Sequence, residues 1–290
     1  MKIRYIAFEV HGYHDKDREF EDIFNAHTEF MCDYLSLAIR KFKIETNGFN
    51  MVLIRLCHDL ETPCVSYSEV FQCIKVSLPF SEDDRKKYLN MSDAAERYEF
   101  YIQNILYGYK LAYKYGDLQI DKLEGIIETF RQNGYRHEWS FAKKRLKEYD
   151  LYVYLNCYFR YNEFELRLEA YDFKRTRLIA DGTLLRTFPS RLCFHKTFRK
   201  VEVNDRMLTL LDFLGHPSFE IDLNKLSQGE FNFKHLEEKV EINDGKLTIG
   251  GPRHPTIEID FNKLGQGKFN FKHLEENLNS EKLDELIWKT

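Results

Sequence analysis

Apolar residues recur along this chain at two different periods. Residues 3–10 (IRYIAFEV) and 49–57 (FNMVLIRLC) are short apolar runs of the kind that form strands. Between them Phe20, Ile23, Phe24, Phe30, Met31, Tyr34, Leu35, Ala38 and Phe42 fall at helical spacing, which predicts an amphipathic helix from about 17 to 43. Strand, helix and strand in that order predict a crossover with the two strands parallel and the helix over one face. Residues 67–78 alternate and predict a third strand, closed by Pro79. The pattern then reads helical, with helices near 92–115, 121–133 and 136–149; Ser81 and Ser92-Asp93 supply helix starts and Gly134 a C-terminal cap.

From about residue 150 the period becomes two. Residues 151–158 and 164–172 read as strands, and Asp181-Gly182 signals a hairpin. Farther on the chain repeats itself. Residues 216–238 (HPSFEIDLNKLSQGEFNFKHLEE) and 254–276 (HPTIEIDFNKLGQGKFNFKHLEE) are identical at 18 of 23 positions, at an offset of 38. Upstream, VEVNDRMLTL (201–210) matches VEINDGKLTI (240–249) at an offset of 39, so one residue was gained or lost between 210 and 216. A unit of this length is one supersecondary element copied beside itself. Asn243-Asp244-Gly245 suits a tight hairpin, Ile257, Ile259 and Phe261 alternate with polar residues, and Phe269 and Phe271 continue on a neighbouring strand. A terminal helix is predicted over 280–288. The reading is an α/β (α+β) protein: an α/β domain with a helical segment at 1–149, and a mainly antiparallel β-rich domain at 150–290 carrying repeats 201–238 and 240–276.

Composition narrows the class. In 290 residues, 43% hydrophobic and 31% charged residues describe an ordinary globular chain, and a net charge of −4 argues against a polyanion binder over its whole surface. Its distribution is uneven. Residues 174–200 hold eight basic side chains against one acid, Asp181, while 201–290 hold 11 basic against 17 acidic. The 24 Phe and 18 Tyr fit aromatic cores, or an aromatic-rich interface. Six cysteines without a C-x-x-C pair fit free thiols in a reducing compartment. The charged N-terminal stretch does not read as a signal peptide and no apolar run is long enough to span a bilayer, so the expected location is cytoplasmic, without a membrane role.

Two sets of residues invite chemistry. The strand at 3–10 ends in His11-Gly12-Tyr13-His14-Asp15, and the strand at 49–57 ends in Cys57-His58-Asp59. Parallel neighbours would bring both loops to one sheet edge, where open α/β sheets bind ligands. His11, His14, Asp15, His58 and Asp59 are then a candidate metal set able to activate water, or simply polar loop residues. His27 lies between Phe24 and Phe30 and reads as a core or half-buried histidine. The second set is the basic strip: Arg175, Arg177, Arg186, Arg191, Lys196, Arg199 and Lys200, with Phe188, Phe194 and Phe198 interleaved and Arg175 and Arg177 on one strand face. It suits an acidic protein partner, a nucleic acid, or a solvated sheet face. Lys143, Lys144, Arg145 and Lys147 would add a short basic helix face.

No phosphate loop, dinucleotide fingerprint, nucleophile elbow or zinc-finger spacing occurs, and no cofactor is expected. The reading is therefore a non-catalytic protein-binding protein with an acidic partner, of the class that includes inhibitors and immunity-type proteins. A nucleic-acid-binding protein using 174–200 is the alternative, and a metal-dependent hydrolase using His11, His14 and His58 the second.

Overall fold

A computed structural model of the chain describes residues 1–13 and 17–236 and, beyond them, the backbone of strands at 239–243, 246–250 and 257–260. The β-α-β start forms as the pattern requires. Strand β1 (Tyr5–His11) leads into helix α1 (Arg18–Ile39), extended by a 3-10 turn at Arg40–Phe42. Strand β2 (Met51–Cys57) returns parallel to β1, with Tyr5 opposite Met51 and His11 opposite Cys57. The Asp17 carboxylate caps the helix by accepting the N–H of Phe20. Because β1 is an edge strand, its outer backbone groups need partners, and α1 supplies them. The Val10 N–H donates to Asn25 Oδ1 (2.7 Å), the Thr28 hydroxyl to the Phe8 carbonyl (2.8 Å) and the Ile6 N–H to Ser36 Oγ (2.9 Å). Thr28 and Ser36 are buried and paired for this reason.

Where the alternation predicts one strand over 67–78, the chain makes a hairpin instead. Strands β3 (Cys64–Ser68) and β4 (Cys73–Pro79) pair antiparallel around a turn that holds Gln72 at φ 48°. Alternation runs on through the turn residues, so period alone does not mark it. β4 lies parallel to β2, and the sheet order is β1-β2-β4-β3. Helices α2 (Glu82–Asn90), α3 (Ala94–Ala112) and α4 (Ile120–Gln132) follow. Ser81 and Asp84 form a capping box on α2. Close packing of α3 on the sheet depends on Gly108, where a Cβ would lie 2.6 Å from the Ile54 side chain. Gly134 (φ 68°) ends α4 as expected: its N–H reaches the Arg131 carbonyl and the Tyr135 N–H the Phe130 carbonyl, each at 2.9 Å.

The predicted helix at 136–149 is a strand. β5 (His137–Leu146), ending in a 3-10 turn at Lys147–Tyr149, pairs antiparallel with β6 (Leu151–Phe159) from His137–Phe159 to Leu146–Leu151. Helix-forming residues in EWSFAKKRL lose to this pairing with an adjacent strand, which resumes after a register shift between Ser140 and Ala142. The basic helix face at 143–147 does not exist. Strand β7 (Phe164–Asp172) and strand β8 (Leu178–Thr187) complete a sheet ordered β5-β6-β7-β8. Asp181-Gly182 is not a hairpin turn: both residues lie inside β8. The turn comes earlier, at 173–177, where the Asp172 carboxylate accepts the N–H groups of Thr176 and Arg177. Gly182 instead marks a close approach, since a Cβ there would meet the Phe231 ring at 2.1 Å.

Helix α5 (Arg191–Phe194) precedes strands β9 (Lys200–Asn204), β10 (Met207–Leu211) and β11 (Pro217–Asp222); helix α6 (Leu223–Ser227) and strand β12 (Phe233–His235) follow, in a sheet ordered β12-β11-β10-β9. Strands β13 (Lys239–Asn243), β14 (Lys246–Gly250) and β15 (Ile257–Asp260) repeat β9–β11 as an antiparallel meander. The register is the same in both copies: Asn204 faces Met207 as Asn243 faces Lys246, and Met207 faces Asp222 as Lys246 faces Asp260. In the first copy the β10–β11 pairing shifts at Leu210–Leu211, in the stretch where the repeat offset changes. The expectations for Phe261, Phe269, Phe271 and the helix at 280–288 lie outside the described residues.

The chain divides into one unit, Met1–Lys234, and a second, His235–Thr290. Residue 150, where the sequence period changes, lies inside the first unit. Ile127 and Phe130 before it and Leu151, Val153 and Leu155 after it belong to one buried core. Aromatic residues are mostly core material, with Phe8, Phe20, Phe24, Phe80, Tyr88 and Tyr101 in mutual contact. Among the described residues no helix is long and apolar enough to cross a membrane.

Candidate binding surface

Alternation along β6 sorts its side chains onto two faces. Leu151, Val153, Leu155, Cys157 and Phe159 are buried, while Tyr152, Tyr154, Asn156 and Tyr158 stand half-buried on the other side. Register carries this outer face across the sheet. Arg145, Tyr152 and Tyr171 form one cross-strand row, Lys143, Tyr154, Glu169 and Asp181 a second, and Ser140, Asn156 and Arg167 a third. Lys174 and Arg175, in the β7–β8 turn, close one end of the face. Of these residues Ser140, Lys143, Tyr154, Asn156, Glu169 and Tyr171, with Lys174 and Arg175, line a concavity of about 630 Å³.

Its charges are pre-positioned. Arg175 has φ 60°, and its guanidinium lies 5.1 Å from the centre of the Tyr152 ring while donating to the Tyr154 hydroxyl at 3.3 Å. Lys143 lies over the Tyr154 ring at 5.7 Å and Arg145 over Phe173 at 4.2 Å. The one carboxylate of the concavity, Glu169, accepts hydrogen bonds from Tyr171 (3.0 Å) and Tyr158 (3.3 Å). Burial and that carboxylate raise both phenols, so they stay protonated and keep donating. Arg167 pairs with Asp181. What remains for a ligand is a face of tyrosine rings edged by Lys143, Lys174 and Arg175. The sequence reading passes over it because Lys143 and Arg145 fall in the stretch taken for a helix. The signal that could have found it is the tyrosines at alternate positions of LYVYLNCYF.

The basic strip is spread over several surroundings. Arg175 and Arg177 sit in the 173–177 turn, not on a strand face. Arg186 lies at the far end of the same outer face, 3.4 Å from both Glu163 and Glu165. Burial alone would raise the Glu165 carboxyl, but the Thr183 hydroxyl, Arg160 and Arg186 outweigh it and hold it below the ordinary carboxylate value. Arg191 binds α1: its N–H donates to Glu29 (2.6 Å) and its guanidinium to Asp33 (2.9 Å). Arg199 lies over the Phe213 ring at 4.9 Å, the Lys196 carbonyl accepts the Phe213 N–H, and Lys200 pairs with Glu202 at 2.6 Å. Of the interleaved rings, Phe194 and Phe198 are buried against Phe164, and Phe188 is exposed.

The histidine loops do emerge at one sheet edge, since His11 is opposite Cys57 in the parallel register. His11 is 3.9 Å from Glu21; His58 packs on Tyr13, with 3.4 Å between its Nδ1 and the Tyr13 hydroxyl, and lies 3.8 Å from Asp59. His14 and Asp15 lie outside the described residues. Among the described residues no three His, Cys, Asp or Glu side chains gather as a metal site would require. His27 is half-buried edge-on to Tyr161, and burial lowers its pKa.

Comparison with protein-family models, curated proteins and solved structures returns no match. The surface must be read from its own chemistry.

Proposed function

We propose that this chain is a non-catalytic protein-binding protein of the inhibitor or immunity type, and that it contacts an acidic partner through the outer face of β5–β8. The observation that carries this reading is Arg175, laid over Tyr152 and bonded to Tyr154 beside Lys143 and Lys174. Tyrosine and arginine give large contact areas for little lost rotamer freedom and dominate binding energy at protein interfaces. The cations are already oriented, which lowers the entropic cost of meeting carboxylates. Charge of this kind acts mainly on association rate and on the choice of partner.

A nucleic-acid reading has one observation in its favour. Tyr152 and Tyr154 are half-exposed rings on a four-stranded sheet with basic neighbours, an arrangement able to stack bases. The phenylalanines of the basic strip add less to it, because Phe194 and Phe198 are buried.

The test is affinity capture from the native host, comparing the intact chain, a Tyr154→Ala/Arg175→Glu variant and a Lys200→Glu control. A stoichiometric protein held by the intact chain and the control, and lost from the double variant, is the expected result. Nuclease-sensitive capture lost in the same variant favours the nucleic-acid reading. Capture that the double variant leaves unchanged refutes the assignment of this face.

A further inference from the structure

At the opposite end of the same sheet, where β5 begins and β6 ends, lies a separate cavity of about 520 Å³. Three tyrosine rings form its wall: Tyr98 of α3 lies 4.9 Å from Tyr135 and 5.8 Å from Tyr161, centre to centre. Buried His137 and Phe159 also line it, and Arg136, Glu138 and Arg160 supply its charged residues. The size falls in the range of sites for small organic molecules.

Three further observations point to a ligand. Tyr135 has φ 56°, a left-handed conformation that a bulky residue rarely adopts and that recurs where structures clamp ligands. It is held there by its hydroxyl on Glu99 (2.7 Å) and its N–H on the Phe130 carbonyl. Next, the hydroxyls of Tyr98 and Tyr161 have no hydrogen-bond partner among the described residues, although Tyr98 is buried enough for its phenol to be pushed up to about 12. Two hydroxyl donors thus line the cavity without a protein acceptor among the described residues. Finally, the two arginines differ. Arg160 is already bound to Glu163 (2.7 Å) and lies over the Tyr158 ring, whereas Arg136 has no acidic partner among the described residues.

We propose that this cavity binds a small planar aromatic anion, with its ring against Tyr98, Tyr135 and Tyr161 and its carboxylate or phosphate on Arg136. Rings stack on such a wall, and a guanidinium pairs with either anion in two-pronged geometry. The unused phenols would donate to oxygens on the ligand. This site meets the far end of the outer face of β5–β8 at Glu138 and Tyr158 but shares no lining residue with the concavity around Arg175, and the proposal does not depend on that concavity.

Calorimetric titration of the full-length chain with AMP and with indole-3-acetate separates the two anions, with adenosine and inorganic phosphate as partial probes. Binding of at least one aromatic anion is expected, at least about tenfold tighter than either partial probe. Arg136→Gln should weaken it about tenfold, the scale of one lost charged hydrogen bond. Tyr161→Phe should weaken it by a smaller factor, and both variants should melt with the parent because Arg136 is exposed and Phe keeps the ring. No binding of either aromatic anion at millimolar concentration overturns the proposal. So does phosphate binding as tightly as AMP, or binding that Arg136→Gln leaves intact.

Discussion

Asp33 and Glu29, four residues apart on α1, anchor the segment at 190–191 from adjacent turns of the helix, yet they respond to acid in opposite ways. Asp33 accepts from His137 Nε2 (2.8 Å) and from Arg191 (2.9 Å), with side-chain exposures of 6% for His137 and 12% for Asp33. Burial would raise its carboxyl, but His137 and Arg191 outweigh it and lower it. Asp33→Asn should cost about 2 kcal/mol in urea unfolding, less than a fully buried pair because Arg191 is partly exposed. Glu29 accepts from Ser190 and the Arg191 N–H, but burial dominates and raises it. The signs follow from linkage. A lowered carboxyl contributes stability above its unfolded value, which is lost as pH falls through the folded one; Asp33, Asp84, Glu99 and Glu165 all act this way, chiefly below about pH 4. A raised carboxyl does the reverse: between its unfolded value, about 4.3, and its raised folded value, stability rises as pH falls. Urea midpoints from pH 7 to 3 should therefore show Glu29→Gln removing a gain on the upper part of the acid limb and leaving the loss below pH 4 in place. Little of this was legible beforehand. The basic strip announced Arg191, but its partners are 162 and 158 residues away in sequence, and spacing carries no record of such contacts. Phe194 and Phe198 misled in the opposite sense, since rings that alternate with arginines look like a platform until burial is known.

Elements were most legible where period and packing agree. The first strand, the long helix and the parallel second strand follow from their apolar spacing, and the strands at 151–158 and 164–172 from alternation. The stretch at 137–146 was not legible, because its residues favour a helix and only the neighbouring strand makes it extended. Gly182 misled for a related reason: glycine is both a turn residue and the residue for a close approach, and Phe231, which distinguishes the two, is 49 positions away. Gly108 offers a quantitative check on how α3 meets the sheet. Gly108→Ala would put a methyl against Ile54 and should cost about 1–3 kcal/mol by overpacking. Combining it with Ile54→Ala should cost less than the two changes summed, measured as the coupling in a double-mutant cycle. Ser36→Ala should cost about 1–2 kcal/mol by leaving the buried Ile6 N–H without its acceptor.

For the whole molecule, Met1–Lys234 holds a continuous core that draws on three sheets and on helices α1–α6, with Phe8, Ile54, Phe130, Leu155 and Ile221 in one cluster. A chain ending at residue 236 should therefore unfold in urea as a single cooperative transition, with the near-ultraviolet signal of Trp139 lost together with the helical signal. Two separated transitions would show that the core does not act as one. The repeated meander has a consequence for how this chain can change length. Its strands are paired by register within each copy, and the single-residue difference between copies lies in the connection that follows the second strand, where pairing tolerates it. A further copy would bring its own pairing with it, so this end of the chain is free to lengthen or shorten by whole modules while every existing strand keeps its neighbour.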